Sequence, residues 1–511
     1  MTMQKKEGLV NVRPAVIACL SLTCGIFCAY RSFLHGNFIN LVAYLLCAGA
    51  IACSCFVKGD LKKRFIITVS IISVFFFIGN CLSNIAINKS NKLPYHQQNG
   101  QFTGRIYEIA SYEHGYLVYF DECEFEDKDL NSKARGFIFE GEISHYIDIG
   151  AHVSFEAKII NRVKENKDEA EAFSGVYYEL EEIEKVQIID FEADFFEIAY
   201  LNSRAFLKKY LSKDASGVAL ALLLGDTTAF NKYKLENCRM AGIAHIFAVS
   251  GLHVGLMVGI FTYASRLLKI KRKFKPFFIL IPAFIYCGLC GFRPSALRAF
   301  IMASVTILAD TFGFKKDNLS SCAIAGIALL LINPFNLMDY GFKLSFMAVS
   351  SIFLLQPLFT RHAKSAKWLG EPLSLSLSAQ IGTLPILTRM YGYTSIIAIF
   401  SNLIFLPVTS FIYTFTFISF VIGAVCSLFS LNASFIMKAS DLLISSVDLL
   451  ISKIDFSIFA IPTSLGALSV IWYLAMACMS DYVNLTTKQK AILGGLSVLL
   501  IFGGSYLLSL I

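Results

Sequence analysis

The stretch GIAHIFAVSGLHVGL, residues 242–256, sets two histidines and a serine inside an apolar run. His245, Val249 and His253 follow at steps of four, so on one continuous helix both imidazoles project toward a single broad face. Ser250 stands three residues before His253, within contact on the same surface. Gly242, Gly251, Gly255 and Gly259 leave a smooth side on which another helix can approach closely. Groups of this kind either line a wet path or bond neighbouring helices without chemistry. A Ser250–His253 dyad would be a third use, an intramembrane serine hydrolase. Neighbours on one helix rarely aim at each other around a scissile bond, and no oxyanion-hole sequence is evident.

Three further clusters place polar groups at membrane depth, where each ionisable side chain costs about 2.5–3.5 kcal/mol on insertion scales. In GFRPSALRAFIMAS, residues 291–304, Pro294 opens a helix as its first-turn residue and Arg293 snorkels at the boundary. Arg298 lies more than a turn deeper, where a wet path or a buried carboxylate suits it. In NPFNLMDYGFKLSFMAVS, residues 333–350, Asn333, Asn336, Asp339, Lys343 and Ser345 make a polar mouth, and Asp339 can pair with Lys343 four residues on. In AQIGTLPILTRMYG and SNLIFLP, Gln380, Thr383, Asn402 and the prolines Pro385 and Pro407 interrupt helices, and half-helix ends make ion or phosphate sites.

The elements that carry these groups are set by composition. Of 511 residues, 56% are hydrophobic and only 16% charged, and apolar runs long enough to cross a bilayer recur throughout. The chain is expected to be a polytopic α-helical membrane protein with an inserted, extracytoplasmic small β-barrel of the OB type. Three segments open it, at about 14–32, 40–57 and 65–84. Lys5, Lys6 and Arg13, then Lys58, Lys62, Lys63 and Arg64, assign their flanking loops to the cytoplasm. The first segment has no convincing cleavage site and reads as a retained span, not a signal peptide. Residues 88–195 then lie outside. GFIFEGEISHYI, AHVSFEAKII and GVYYELEEIEKVQII alternate with period two, the mark of short antiparallel strands, and the length suits five of them.

Residues 101–200 carry nine basic and 24 acidic side chains, a net of −15 against +8 for the whole chain, which leaves +23 elsewhere. A barrel this acidic repels a phosphate backbone, so a structural vestibule is as good a reading as a strand-binding role. Residues 196–511 hold about eight to ten spans: 242–266, 277–292, 295–313, 319–335, 341–358, 373–390, 395–428 (two half-helices about Pro407), 463–480 and 490–510. Residues 433–452 have helical polar–apolar period and lie on the surface or line a cavity. The Cys287–Cys290 CGLC run reads as small-residue helix packing rather than a redox pair.

LLLGD, GIAHIFAVSGLHVG, RPSALRA, NPFNLMDYGFKLSF, AQIGTLP and SNLIFLP, in this order, resemble the blocks of the ComEC-type competence channel family. The resemblance covers roughly residues 10–510. It implies an external OB-like domain followed by a membrane competence domain that conducts single-stranded DNA across the bacterial cytoplasmic membrane in natural transformation. Motif match carries over Asp226, His245, Ser250, His253, Pro294, Arg298, Asp339, Gln380, Asn402 and Pro407; with Lys343 added for its charge, the conduit-lining candidates are His245, Ser250, His253, Arg298, Lys343, Asp339, Gln380 and Asn402, and Asp226, Gly251, Gly255, Pro294, Pro385 and Pro407 are structural. Where the family usually has Gln after GF, this chain has Lys343. Many members also carry a C-terminal metallo-β-lactamase-like domain. No His-x-His-x-Asp-His run occurs here, the eight histidines are scattered, and no Walker A sequence is present. The expectation is a non-enzymatic channel without metal or cofactor. Its partners would be single-stranded DNA, membrane lipid, a DNA receptor, a separate nuclease and a cytoplasmic ATP-driven motor or single-strand-binding protein; self-association stays open. A small-solute or ion transporter using the same polar path is the alternative.

Overall fold

The computed structural model describes residues 13–35, 61–91, 95–112, 115–130, 132–139, 148–162, 176–230, 232–247, 249–314, 317–362, 367–395, 397–429, 431–453, 460–462 and 469–479, with positions 40, 44 and 489. Nearly all of the expected span 40–57, and the whole of 490–510, lie outside the described residues.

Helices α1 (Pro14–His35) and α2 (Leu61–Asn91) pack backbone to backbone. A Cβ on Gly25 would stand 2.1 Å from the Phe76 carbonyl oxygen, and one on Gly79 would stand 2.4 Å from that of Leu22. Only glycine permits this approach, and the buried Asn80 amide then donates to Gly25 O at 3.4 Å and Asn40 Oδ1 at 2.7 Å. Gly25→Leu is expected to push the pair apart and cost about 1–3 kcal/mol, read as a lower unfolding midpoint in detergent. An unchanged midpoint would refute the contact.

The chain then forms strands β1 (Gln98–Tyr112), β2 (Gly115–Phe125), β3 (Lys128–Asp129), β4 (Lys133–Phe139), β5 (Ala151–Asn161) and β6 (Val176–Phe191). Neighbours run β1-β5-β6-β4-β2, and β1 pairs again with β2, closing a five-stranded barrel with β3 as a flap on β2. All pairings are antiparallel except β4 with β6, the arrangement of an OB-type barrel. Alternation fills it: Phe102, Phe120 and Phe155 meet with ring centroids 5.0–5.5 Å apart. Burial pushes the Cys123 thiol inside it well up, so its thiolate is scarce. Cys123 should therefore resist alkylation until the barrel is unfolded by denaturant; rapid labelling of folded protein would contradict this.

The barrel is seated on the helices. Ile87 of α2, with Phe335 and Met338 from the 3₁₀ turn Pro334–Leu337 and the residue after it, joins its core. Arg105 spans Asp121 (3.1 Å) and Glu197 (2.8 Å) on helix α3 (Phe195–Tyr210), whose Arg204 holds Asp148 at 2.8 Å.

Helix α4 (Lys213–Leu224) is buried at every position from Ala215 to Leu224, as expected of a helix apolar all round. After it come α5 (Lys232–Met240), α6 (Gly251–Leu267), α7 (Lys275–Leu289), α8 (Pro294–Phe312), α9 (Asn318–Ile332), α10 (Tyr340–His362), α11 (Lys367–Tyr391), α12 (Ala398–Leu428), α13 (Ser434–Lys453) and α14 (Ser469–Met479). Strands β7 (Tyr393–Ser395) and β8 (Ala460–Pro462) pair between them. Among the described residues, segments of α1, α2, α8, α10 and α12 are long and apolar enough to cross a membrane. At 15 residues, α7 and α9 reach only about 22 Å, short of a hydrocarbon core of about 30 Å. The protein is a multi-pass membrane protein.

Two expectations change. The segment 395–428 is not two half-helices: α12 runs through Pro407, and α11 runs through Pro385. The carbonyl that Pro385 frees, that of Ile381, accepts from Trp472 Nε1 of α14 at 2.8 Å, the kind of repair that lets a membrane helix tolerate proline. The span 242–266 begins late, at Gly251. Helix α13 lies at the surface, with Met437, Ile444, Val447 and Ile451 packed into the main core and Phe435, Leu442 and Leu449 exposed.

Candidate functional site at the head of helix α6

The motif residues do not share one helix. Gly242 takes a left-handed φ of 74° where a Cβ would stand 2.4 Å from Ala398 Cβ of α12. The chain turns there, and His245 falls in a 3₁₀ turn, Ala244–Ile246, ahead of α6. The single-face placement of His245 and His253 is thus corrected, although the two imidazoles remain within electrostatic reach. Nδ1 of His245 lies 3.1 Å from Gly242 O. His245 is exposed.

Ser250 and His253 form a capping box. Leu252 N–H donates to Ser250 Oγ, and Ser250 N–H donates to His253 Nδ1, both at 3.2 Å. The imidazole stands where Glu or Gln is usual, and accepting at Nδ1 fixes the neutral ring as the Nε2–H tautomer. It is 1% exposed and stacks on Tyr413 of α12 with centroids 4.7 Å apart. This contact runs through the serine's backbone and leaves the hydroxyl without the imidazole as base, which removes the structural ground for a serine–histidine nucleophile. The glycine face is corrected too. Gly251 lies against Ala299 Cβ and Arg298 Nη2, each 3.5 Å from its Cβ position, whereas Gly255 and Gly259 meet nothing within 4 Å and are exposed.

Pro294 opens α8 at its first position, as expected, and Arg298 is then 4% exposed. Among the described residues no carboxylate meets it. Its Nε and Nη1 are buried without a hydrogen-bond acceptor among the described residues, and its guanidinium carbon lies 5.5 Å from the centroid of the Phe346 ring. Asp339 and Lys343 do not pair. Asp339 Oδ1 accepts from Phe342 N–H at 2.7 Å at the start of α10, and Lys343 Nζ donates to Met338 O at 2.8 Å. A carboxylate at a helix start is drawn to the free amides, which explains the choice. Asn336 similarly donates to Leu329 O at 3.1 Å. Asp339 and Asn336 line a crevice of about 670 Å³ between barrel and helices, with Lys89, Tyr107 and Glu108. Gln380 is half-buried on α11, and Asn402 on α12 has a buried Oδ1 without a donor.

Asp226 follows Gly225, which ends α4 in left-handed conformation. Its buried carboxylate accepts from Tyr200 Oη at 2.8 Å and Thr228 N–H at 2.9 Å, with Arg204 Nε 3.6 Å away. The sequence gives no hint of Tyr413 or Tyr200, because an aromatic in an apolar helix carries no local signal of its partner.

A family model described as "Competence protein" matches residues 222–483. ComE operon protein 3 of Bacillus subtilis is 33% identical over 244 residues, which cover 47% of this chain and 30% of that protein. An uncharacterized protein of Aquifex aeolicus is 26% identical over 355 residues, 65% of this chain and 77% of the relative. Competence protein ComA of Neisseria gonorrhoeae is 26% identical over 200 residues, 36% of this chain and 28% of the relative. The matched region thus spans less than a third of ComE operon protein 3 and of ComA. No solved structure matches the chain. The family match takes in half of the sequence and every motif from Leu222 onward, so the chain belongs to the competence protein family.

Proposed function

We propose that this chain conducts single-stranded DNA across a bacterial cytoplasmic membrane during natural transformation. The observation that carries the reading is Arg298: a buried guanidinium without a carboxylate among the described residues, in a member of the competence family, beside a face of α6 that opens onto space. A strand bears one charge per nucleotide, and a low-dielectric wall repels it unless cations and dipoles line the way. His245, Ser250, His253, Lys343, Asp339, Gln380 and Asn402 are the remaining lining candidates. His253 and Asp339 serve it by shaping helix starts, and Lys343 lies within electrostatic reach of Arg389, a second cation near the mouth.

The division proposed is helices at 1–87, barrel at 88–195 and channel at 196–511, with the N-terminus in the cytoplasm. Arg13 pairs with Asp317 at the start of α9, in keeping with one side for both, while Lys89 and Pro294 line the crevice beneath the barrel. The acidic barrel favours a vestibule over a strand-gripping surface. The chain is a conduit and not a nuclease; strand degradation, reception and pulling fall to separate proteins. Deleting the gene tests the cargo: uptake of labelled DNA should vanish while growth on defined solutes is unaffected. Normal DNA uptake with a lost solute phenotype would replace the reading with a small-solute transporter.

A further inference from the structure

Resting on the conduit reading, we propose that Arg298 and the first turn of α6 form a binding site for a single phosphate group, one station for the backbone of the passing strand. An unpaired guanidinium in a dry interior costs several kcal/mol, and the Phe346 ring returns about 0.5–2 of it. Its counter-charge is absent from the described side chains, since Nε and Nη1 have no acceptor. The guanidinium is aimed at the positive end of a 17-residue helix, with Nη2 3.5 Å from the Gly251 Cβ position. Two positive features facing one another call for an anion between them. The planar fork suits the paired oxygens of a phosphate. Glycine at 251 keeps a side chain out of the approach to Arg298, and the exposed Gly255 and Gly259 continue along the same helix, so the group is reached from that side. Ser250 and His253 satisfy the Leu252 and Ser250 amides, which holds the turn in shape without occupying the space before Gly251.

The full chain in phosphatidylcholine nanodiscs supplies the test, with fluorescent oligothymidylate carrying either a phosphodiester or an uncharged methylphosphonate backbone. The phosphodiester should bind more tightly, and Arg298→Gln should weaken it about tenfold, the equivalent of about 1.4 kcal/mol. Gly251→Ala should weaken it too. Its methyl meets its neighbours at ordinary van der Waals distance, so folding is spared if Arg298→Gln proves unstable. Wild-type affinity in both variants overturns the phosphate site and leaves the conduit standing. If no oligonucleotide binds but inorganic phosphate raises the thermal midpoint of wild type and not of Arg298→Gln, the site stands with free phosphate as its occupant and the conduit reading falls. Neither effect in wild type overturns both.

Discussion

Replacing Arg298 by methionine is expected to lower uptake of labelled DNA by about a hundredfold, the upper range for losing a charge-assisted phosphate contact, while thermal stability holds or rises. The sign of the second effect separates function from scaffolding. A buried cation paired to a carboxylate would leave an orphaned charge when removed and destabilise the protein by about 3–5 kcal/mol. Arg298 has no such partner among the described residues, so a methionine of similar length relieves a desolvation cost and keeps its packing on Phe346. Arg298→Lys should fall between, keeping the charge but not the fork. Uptake assays at matched membrane levels, with unfolding midpoints in detergent, read both. A lowered midpoint together with lost uptake would make Arg298 a structural residue. His253→Ala is a poorer probe, because it removes a cap and the Tyr413 stack together with any lining role.

The second large effect is structural. Asp226→Ala is expected to destabilise the chain by about 3 kcal/mol or more, because it takes a buried carboxylate from Tyr200, Thr228 and Arg204 at once. Arg204 also holds Asp148 at the base of the barrel, so the loss should reach both regions. A drop in midpoint, and uptake that falls only in step with protein level, is the expected result. An unaltered midpoint with abolished uptake would move Asp226 into the lining.

The barrel was readable because period-two alternation is local: β5 and β6 fall on the segments that show it. Most apolar helices were readable for the same reason. The head of α6 was not. Gly242 turns left-handed where Ala398, more than 150 residues later, crowds its Cα, and that breaks the continuous helix the apolar run implies. Pro385 and Pro407 misled in the opposite direction: both helices run on, and at Pro385 the freed Ile381 carbonyl is taken up by Trp472 of a packed helix, which no local pattern announces. The Asp339–Lys343 spacing was right for a pair, but the amides at the start of α10 compete for the carboxylate, and only the location of the helix end decides.

Because Ile87, Phe335 and Met338 are shared between barrel and helices, the barrel is a fixed roof and not a hinged flap. Raising the ionic strength would loosen Arg105, Arg204 and their partners while leaving the greasy floor in place, so salt alone does not lift it. On the conduit reading proposed above, traffic toward the mouth would have to pass along the seam beside it. Cut free of its helices, the barrel would show that floor to water and stick to itself.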